Sequence, residues 1–136
     1  MIANHQHQRT VRFAETDVLG FAYFDTYIRM MEETEYSFLR SRDLRVVLSD
    51  DKGIIGFPRI SVAIEVENPL QFEDLANIEL QLSAVDGKQI VYDFVIECDQ
   101  SMVARGCFKV ACCRFPKGEN PYAILTPDFV LEKLAK

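Results

Sequence analysis

Hydrophobic residues follow two different periods along the chain, and these periods predict one long helix and several strands. Over residues 25–42, apolar and aromatic side chains recur every three or four positions, the spacing of one helix face. Elsewhere apolar and polar residues alternate with the period of two that is typical of a strand with one covered face. The strands predicted in this way span residues 8–14, 59–68, 76–85, 89–98 and 102–115.

The connections between these elements favour an antiparallel arrangement. Short turn sequences at 86–88 (Asp-Gly-Lys) and 99–101 (Asp-Gln-Ser) join the last three strands as hairpins. Residues 41–57 are charged and contain a turn signal at 50–53, so we expect them to lead the chain from the helix back to the sheet. Residues 126–136 begin with Thr-Pro-Asp and predict a short amphipathic helix. The fold class is therefore α+β, in one domain over residues 1–136.

Length and composition describe an ordinary globular protein. With 136 residues the chain is long enough for one domain with a substantial core, and its hydrophobic fraction of 49% and charged fraction of 26% are typical values. The net charge of -6 argues against nucleic acid and acidic membrane surfaces as partners. No apolar run has transmembrane length, and no signal peptide is recognisable, so we expect a cytoplasmic protein without a membrane partner.

The cysteines and histidines do not form a recognisable metal site. No CxxC pair occurs, and the two histidines, His5 and His7, lie together near the start of the chain. We therefore predict no metal and no cofactor, and we interpret the thiols as small core residues of a reduced protein. The four cysteines lie in or beside predicted strands: Cys98, Cys107, Cys112 and Cys113.

Asp17 is the acidic residue with the clearest chemical potential. It lies between a predicted strand, in which Val11 and Phe13 alternate with polar residues, and the start of the long helix. The first turn of a helix carries unpaired backbone N–H groups and the positive end of the helix dipole, which can hold an acyl oxyanion. A carboxylate close to that position can act as general base or as nucleophile. The alternative from the residue types alone is a helix cap or a solvated loop residue.

Two motifs connect this segment to a known family. Residues 11–27 read Val-Arg-Phe-x-Glu-Thr-Asp-x-x-Gly-x-x-Tyr-x-x-x-Tyr, and residues 68–74 read Asn-Pro-Leu-x-Phe-Glu-Asp. Together with Arg29, Glu32 and Glu33 on the helix, they resemble the 4-hydroxybenzoyl-coenzyme A (CoA) thioesterase family of hot-dog-fold proteins. The resemblance covers essentially the whole chain. It implies a long central helix wrapped by a five-stranded antiparallel sheet.

The same resemblance implies an acyl-CoA thioesterase that releases a carboxylic acid and free CoA. Asp17 takes the position of the family's catalytic carboxylate, and the backbone N–H of Phe24 is implied as the group that polarises the thioester carbonyl. Many relatives have His at the position of Phe24 and Asn at that of Thr26, so no side-chain role is carried over there. The alternatives are a non-hydrolytic acyl-binding protein and a thioesterase for acyl carrier protein. The resemblance also implies a homodimer or homotetramer with the site between subunits.

Further residues are candidates for substrate binding or for pairing on the helix. Tyr23, Tyr27, Met31 and Phe57 are expected in the acyl pocket, together with Phe21 and Ile55. A basic strip for the CoA phosphates is predicted from four residues, with a solvated strand face as the alternative: Arg105, Lys109, Arg114 and Lys117. Glu32 and Glu33 are alternative catalytic acids. We further expect Asp25 or Thr26 to cap the helix and Arg29 to pair with Glu33. Glu35, like Glu32 and Glu33, is expected to face away from most of the apolar stripe.

Overall fold

The computed structural model describes residues 3–135 and consists of two helices and nine strands. The helices are α1 (Phe24–Ser41) and α2 (Asp128–Leu134). The strands are β1 (Asn4–Thr10), β2 (Val47–Asp50), β3 (Gly53–Gly56), β4 (Arg59–Val66), β5 (Leu75–Asp86), β6 (Gln89–Cys98), β7 (Ser101–Ala111), β8 (Cys113–Arg114) and β9 (Tyr122–Ala123).

The main sheet has five strands in the order β1-β5-β6-β7-β4, and every neighbouring pair is antiparallel. The predicted α+β class and the five-stranded antiparallel sheet against one long helix are therefore confirmed. Strand 89–98 was predicted with the bounds that β6 has in the structure. The two outermost strands, β1 and β4, come from distant parts of the sequence, and each leaves one edge without a partner within residues 3–135.

Helix α1 packs its apolar face against the inner face of this sheet. Its buried positions follow the predicted three-and-four spacing and include Tyr27, Met31 and Phe38. Met31 lies over Gly106 of β7, where an added Cβ atom would be 2.5 Å from the methionine methyl group. A residue larger than glycine at position 106 would therefore require the Met31 side chain to move.

The first predicted strand is wrong in its bounds. The chain pairs over Asn4–Thr10 and then leaves the sheet, because residues 13–15 close a short 3-10 turn. The carboxylate of Glu15 accepts the backbone N–H of Arg12, and the Glu15 N–H donates to the Arg12 carbonyl. As a result Val11 is fully buried while Phe13 is 75% exposed, which ends the alternation that we expected to continue.

A second sheet was not predicted. Residues 47–56, expected as a crossing segment, form the hairpin of β2 and β3 around the turn at 51–52. The predicted strand 102–115 breaks at Cys112, whose N–H donates to the Lys88 carbonyl instead of to the ladder. Its last residues, β8, pair with β3 and with β9, giving the order β2-β3-β8-β9.

The remaining expectations concern the C-terminal helix and the cysteines. Helix α2 covers Asp128–Leu134 and buries Val130 and Leu134, whereas residue 136 of the predicted helix lies outside the described residues. All four thiols are unpaired, and burial raises their pKa values above the ordinary value. Cys112 and Cys113 are buried as expected, and the other two are half-buried. Neither described helix has the length and apolar character needed to cross a membrane.

Candidate active site

Asp17 lies in a closed hairpin formed by residues 16–22, which we call the Asp17 hairpin. Its ends are joined by a β-bridge between Thr16 and Ala22, and the Asp17 N–H donates to the Phe21 carbonyl over 2.7 Å. Gly20 N–H donates to the Asp17 carbonyl at 3.0 Å, and Gly20 has a φ of +86°. That left-handed conformation favours glycine, which explains why the turn carries one.

The hairpin is fixed to the second sequence motif. Ala22 N–H donates to the Leu70 carbonyl at 2.8 Å, and Phe72 N–H donates to the Gly20 carbonyl at 3.1 Å. The two motifs that carried the family resemblance are thus in direct contact. The segment that follows β4 holds the loop in which Asp17 lies.

The Asp17 carboxylate is oriented by its own loop and leaves one oxygen available. Oδ1 accepts the N–H of Leu19 at 2.9 Å and the N–H of Phe21 at 3.0 Å. Oδ2 has no hydrogen-bond partner within residues 3–135. The side chain is half-buried. A carboxylate held by one oxygen with the other unoccupied is suited to attack a carbonyl or to accept a proton from water.

Asp17 is not the cap of α1. The N-cap is Tyr23, in an extended conformation and without a side-chain cap bond, and the helix begins at Phe24. The prediction that Asp25 or Thr26 caps the helix is therefore wrong, because both lie inside its first turn. The N–H of Phe24 has no acceptor in the part of the chain that the structure describes. It is an unpaired donor at the positive end of the helix.

The surface around the hairpin and the helix start is apolar and exposed. Val18 is 99% and Leu19 76% exposed, while Tyr23 and Phe24 are 51% and 57% exposed. A cavity of about 260 Å³ opens at the first turn of α1, next to Phe24, and six residues line it: Ala14, Glu15, Tyr23, Asp25, Thr26 and Arg29. This site thus combines a free carboxylate oxygen, a helix N-terminus and an apolar surround.

Comparisons with known proteins point to one family. The chain is 28% identical over 105 residues to a 1,4-dihydroxy-2-naphthoyl-CoA hydrolase from Synechococcus elongatus, covering 76% of each chain. A 1,4-dihydroxy-2-naphthoyl-CoA thioesterase from Synechocystis has a similar structure, with a TM-score of 0.83 at 18% identity, over 98% of this chain and 96% of that one. The 4-hydroxybenzoyl-CoA thioesterase from Pseudomonas sp. strain CBS-3 gives 0.82 at 15% identity, over 96% and 98%.

These comparisons support a hot-dog-fold acyl-CoA thioesterase. No family model matches the sequence. The fold of this thioesterase is the one that the sequence motifs implied, and thioester hydrolysis is favoured over the non-hydrolytic acyl-binding alternative.

Two of the predicted substrate-binding residues lie in the core of this thioesterase. Met31 is fully buried and Tyr27 is 2% exposed. The hydroxyl of Tyr27 accepts the Leu70 N–H at 3.0 Å, so this side chain supports the segment that holds the Asp17 hairpin. Of the four expected pocket residues, Tyr23 alone lies next to the helix start.

Phe57 lines a different cavity from the one at the start of α1. This cavity has a volume of about 450 Å³ and lies between α1 and the β2–β3 hairpin, and we call it the Phe57 cavity. Ile55 is fully buried nearby and does not line it. The structure does not bring Phe57 and Asp17 together within one chain. The lining residues are Tyr36, Val46, Val47, Ile54, Gly56, Phe57, Pro58, Arg59 and Phe115.

The predicted basic strip is divided between two sheets. Arg105 and Lys109 are exposed on the outer face of β7, where Arg105 lies 3.4 Å from Glu67. Arg114 is in β8 and pairs with Asp50 at 2.6 and 3.2 Å. The strip of four was wrong because β7 ends at Ala111, so the chain changes sheets before Arg114.

Sequence reasoning missed a cluster formed by Arg9, Glu15 and Glu33, the Arg9 cluster. We expected Glu33 to pair with Arg29, but Arg29 pairs with Asp25 at 3.3 Å. Instead Arg9 donates two hydrogen bonds to Glu33, at 3.0 and 2.8 Å, and two to Glu15. Hydrogen bonds from Arg9 hold the pKa of the Glu15 carboxyl below its usual value. At Glu33 burial acts to raise the pKa of the carboxyl, but the hydrogen bonds and charge of Arg9 outweigh it, so this pKa is also lowered.

A second cluster, the Arg59 cluster, lies on the other side of α1. Arg59 of β4 donates to Glu32 at 2.9 Å and to Glu35 at 2.5 Å. Glu35 is 1% exposed, so the prediction that it faces away from the core is wrong. Burial raises the pKa of its carboxyl in spite of the arginine. Glu32 and Glu33 are both paired with arginines, whereas the Asp17 carboxylate accepts only backbone N–H groups.

Proposed function

We propose that this thioesterase hydrolyses an acyl-CoA to a carboxylic acid and free CoA with Asp17 as the catalytic carboxylate. The observation that carries the proposal is the state of the Asp17 side chain. Two backbone amides hold Oδ1, while Oδ2 is without a partner in residues 3–135. Seven residues further on, the free N–H of Phe24 is positioned by the helix start to polarise the thioester carbonyl.

Two routes of hydrolysis are possible with these groups. In the first, Oδ2 attacks the thioester carbon, the C–S bond breaks, the thiolate leaves, and water hydrolyses the acyl anhydride. In the second, Asp17 removes a proton from a water molecule that attacks the carbonyl directly. A single turnover in H₂¹⁸O tests the first route. Label in Asp17 requires an anhydride that water opens at the Asp17 carbonyl carbon. Label only in the product is expected for general-base catalysis and also for an anhydride that water opens at the acyl carbon, so trapping of an acyl-enzyme decides between those two.

The acyl group is proposed to be aromatic. The similar proteins named above act on 1,4-dihydroxy-2-naphthoyl-CoA and 4-hydroxybenzoyl-CoA according to their names, and the apolar side chains around the site suit a ring. A panel of aryl and aliphatic acyl-CoA esters, with the same acyl groups on acyl carrier protein, tests this choice. Turnover of carrier-bound substrates alone would identify a carrier-protein thioesterase instead.

Replacing Asp17 by Asn tests the catalytic role directly. The amide keeps the volume and an acceptor for the Leu19 and Phe21 amides, but it is neither a useful base nor a carboxylate nucleophile. We expect kcat to fall at least about a hundredfold, since general acid–base groups contribute roughly 10²–10⁴. The folded fraction measured on the same sample should be unchanged. Normal turnover by this variant would remove Asp17 from the mechanism.

We also propose a homodimer joined through the β4 edges, with the site completed between subunits. Strand β4 has no partner on its outer side among the described residues, and it exposes Ile60 (53%) and Val62 (42%). Such an edge readily pairs with a second strand. The other edge, β1, is mostly polar in sequence and is less suited to this contact.

The direction of β4 supports a shared site. Two antiparallel copies of β4 place the start of one strand, at Arg59 and the Phe57 cavity, beside the end of the other. The chain continues from that end into Leu70, which is bonded to the Asp17 hairpin. Phe57 of one subunit would then meet Asp17 of the second, which no single chain brings about.

Native mass measurement and one edge variant test this assembly. We expect a dimer, or the tetramer that the family resemblance implies, and Val62→Lys on the edge should yield monomers with reduced turnover. A wild-type protein that is fully active as a monomer would contradict the shared site.

Arg105 and Lys109 are proposed to contact the CoA phosphates, since both are exposed basic side chains of β7 beside the β4 edge. The double change to Ala should raise KM more than it lowers kcat, because a remote phosphate contact binds ground and transition states alike. An unchanged KM would place the nucleotide elsewhere. We keep a cytoplasmic location as a proposal, supported by four unpaired thiols.

A further inference from the structure

The Arg9 side chain binds two carboxylates from different parts of the chain, Glu15 and Glu33. All five of its N–H donors have acceptors: Glu15 takes two, Glu33 takes two, and the Thr10 carbonyl takes one. The side chain is only 13% exposed. A guanidinium with both forks engaged has a single orientation, so its two carboxylate partners are fixed relative to each other.

Glu15 connects Arg9 to both parts of the active site, the start of α1 and the Asp17 hairpin. Its carboxylate also accepts the Arg12 N–H at 2.9 Å, which closes the 3-10 turn. Its carbonyl accepts the Tyr23 N–H at 2.9 Å and the buried Thr26 hydroxyl at 3.2 Å. These two donors flank Phe24, whose N–H is the proposed carbonyl-polarising group.

The Asp17 hairpin begins from the same residue. Thr16 follows Glu15 directly and is bridged to Ala22, so the first strand of the hairpin and the residue before the helix share Glu15 as their anchor. Glu33 lies two and a half turns into α1, and Arg9 therefore also fixes the body of the helix to this point.

We propose that Arg9 and Glu15 are positioning residues for thioester hydrolysis, because together they set the distance between the Asp17 carboxylate and the Phe24 N–H. This inference rests on the proposed function of Asp17. Neither residue has to touch the substrate. Without the bidentate contact, the helix start and the hairpin remain covalently connected but lose their common anchor, and catalytic geometry is sensitive to displacements of about 1 Å.

The test uses four single variants, the double variant Arg9→Met/Glu15→Gln and the variant Asp17→Asn, all assayed with benzoyl-CoA and 4-hydroxybenzoyl-CoA. Arg9→Met removes both forks, Arg9→Lys keeps the charge without a fork, and Glu15→Gln keeps an acceptor without the charge. Lys133→Gln is the control, since it breaks an exposed ion pair with Asp43 on the remote helix α2. Folded fraction, subunit number, kcat and KM are measured for each variant.

We expect Arg9→Met to lower kcat about ten- to a hundredfold with KM within about twofold, because the loss is in geometry and not in substrate affinity. Arg9→Lys should recover only part of kcat. The double variant Arg9→Met/Glu15→Gln should be no slower than Arg9→Met alone, because both changes break the same contact. Lys133→Gln should keep the wild-type kcat.

Three results would overturn the inference. If Asp17→Asn abolishes turnover while Arg9→Met keeps kcat within about twofold, the contact does not position the site. If kcat of Arg9→Met or Arg9→Lys falls only in proportion to the folded fraction, the role of Arg9 is stability alone. If Asp17→Asn turns over normally, the proposed function fails as well, and that variant distinguishes this case from the other two.

Discussion

Helix α1 is held from its two sides by arginines of the two edge strands, and the two contacts differ in what they connect. Arg9 comes from β1 and Arg59 from β4. The consecutive residues Glu32 and Glu33 point in directions about 100° apart around the helix axis, and each arginine binds one of them. The second partner makes the difference: Glu35 for Arg59, but Glu15 for Arg9.

In the Arg59 cluster both carboxylates belong to α1, so the contact can fix only the helix on the sheet. Arg59 lies 4.6 Å above the ring of Phe108, its Nε is buried without a partner within residues 3–135, and Glu35 is in the core. The Arg9 cluster connects three elements and satisfies every donor. The Arg59 cluster therefore stabilises the packing of α1 on the sheet. The Arg9 cluster, which also reaches the Asp17 hairpin, is proposed to set the geometry of the active site as well.

The largest expected effect on stability comes from replacing Arg59. Arg59→Met leaves Glu35 buried without its counter-charge, and removal of one partner of a buried pair costs about 3–5 kcal/mol. Denaturant unfolding at neutral pH measures the loss. Adding Glu35→Leu should recover much of it, because the uncompensated charge is then gone. A loss below about 1 kcal/mol for the single variant would mean that Glu35 is not held by Arg59.

Removing Arg9 should have a smaller effect on stability. Glu33 is 40% exposed, so water can replace the lost hydrogen bonds there, and Glu15 keeps the Arg12 N–H. We expect Arg9→Met to lower the free energy of unfolding by about 1–2 kcal/mol. The same denaturant series serves for both arginines. An equal loss for the two would erase the distinction between a structural and a positioning contact.

Local patterns in the sequence predicted the elements that depend on neighbours along the chain. The spacing of Tyr27, Met31 and Phe38 predicted the buried face of α1, and alternation predicted β6 to the residue. The β2–β3 hairpin was missed although its signal was present. Two residues at 51–52 join two short apolar runs there, but we interpreted the charged turn as part of a segment that leads from the helix to the sheet.

The arginine clusters could not be predicted in the same way. Arg9 is 24 residues from Glu33, and Arg59 is 24 residues from Glu35, so no helical or strand period relates them. The rule for residues four apart favoured Arg29 and Glu33, which do not pair, since the guanidinium of Arg9 reaches Glu33 from the sheet. The candidate site shows the same division: the motif located Asp17 and contains Glu15, but Arg9, which binds Glu15, lies outside the motif.

The smallest expected effect is a difference in pH dependence between the two clusters. The pKa of Glu15 lies below its ordinary value of 4.5, so its contribution to stability is present above that pH and is lost as the pH falls through the folded-state value. The pKa of Glu35 is raised, so stability is instead lost as the pH rises from 4.5 through its folded-state value.

Glutamine at either position removes the titration of that carboxyl. Relative to the wild type, Glu15→Gln should therefore become less stable as the pH rises toward 4.5 from below, and Glu35→Gln should become more stable as the pH rises above 4.5. Chemical unfolding at four or five pH values gives both slopes, and slopes of the same sign would contradict the opposite environments of the two carboxylates.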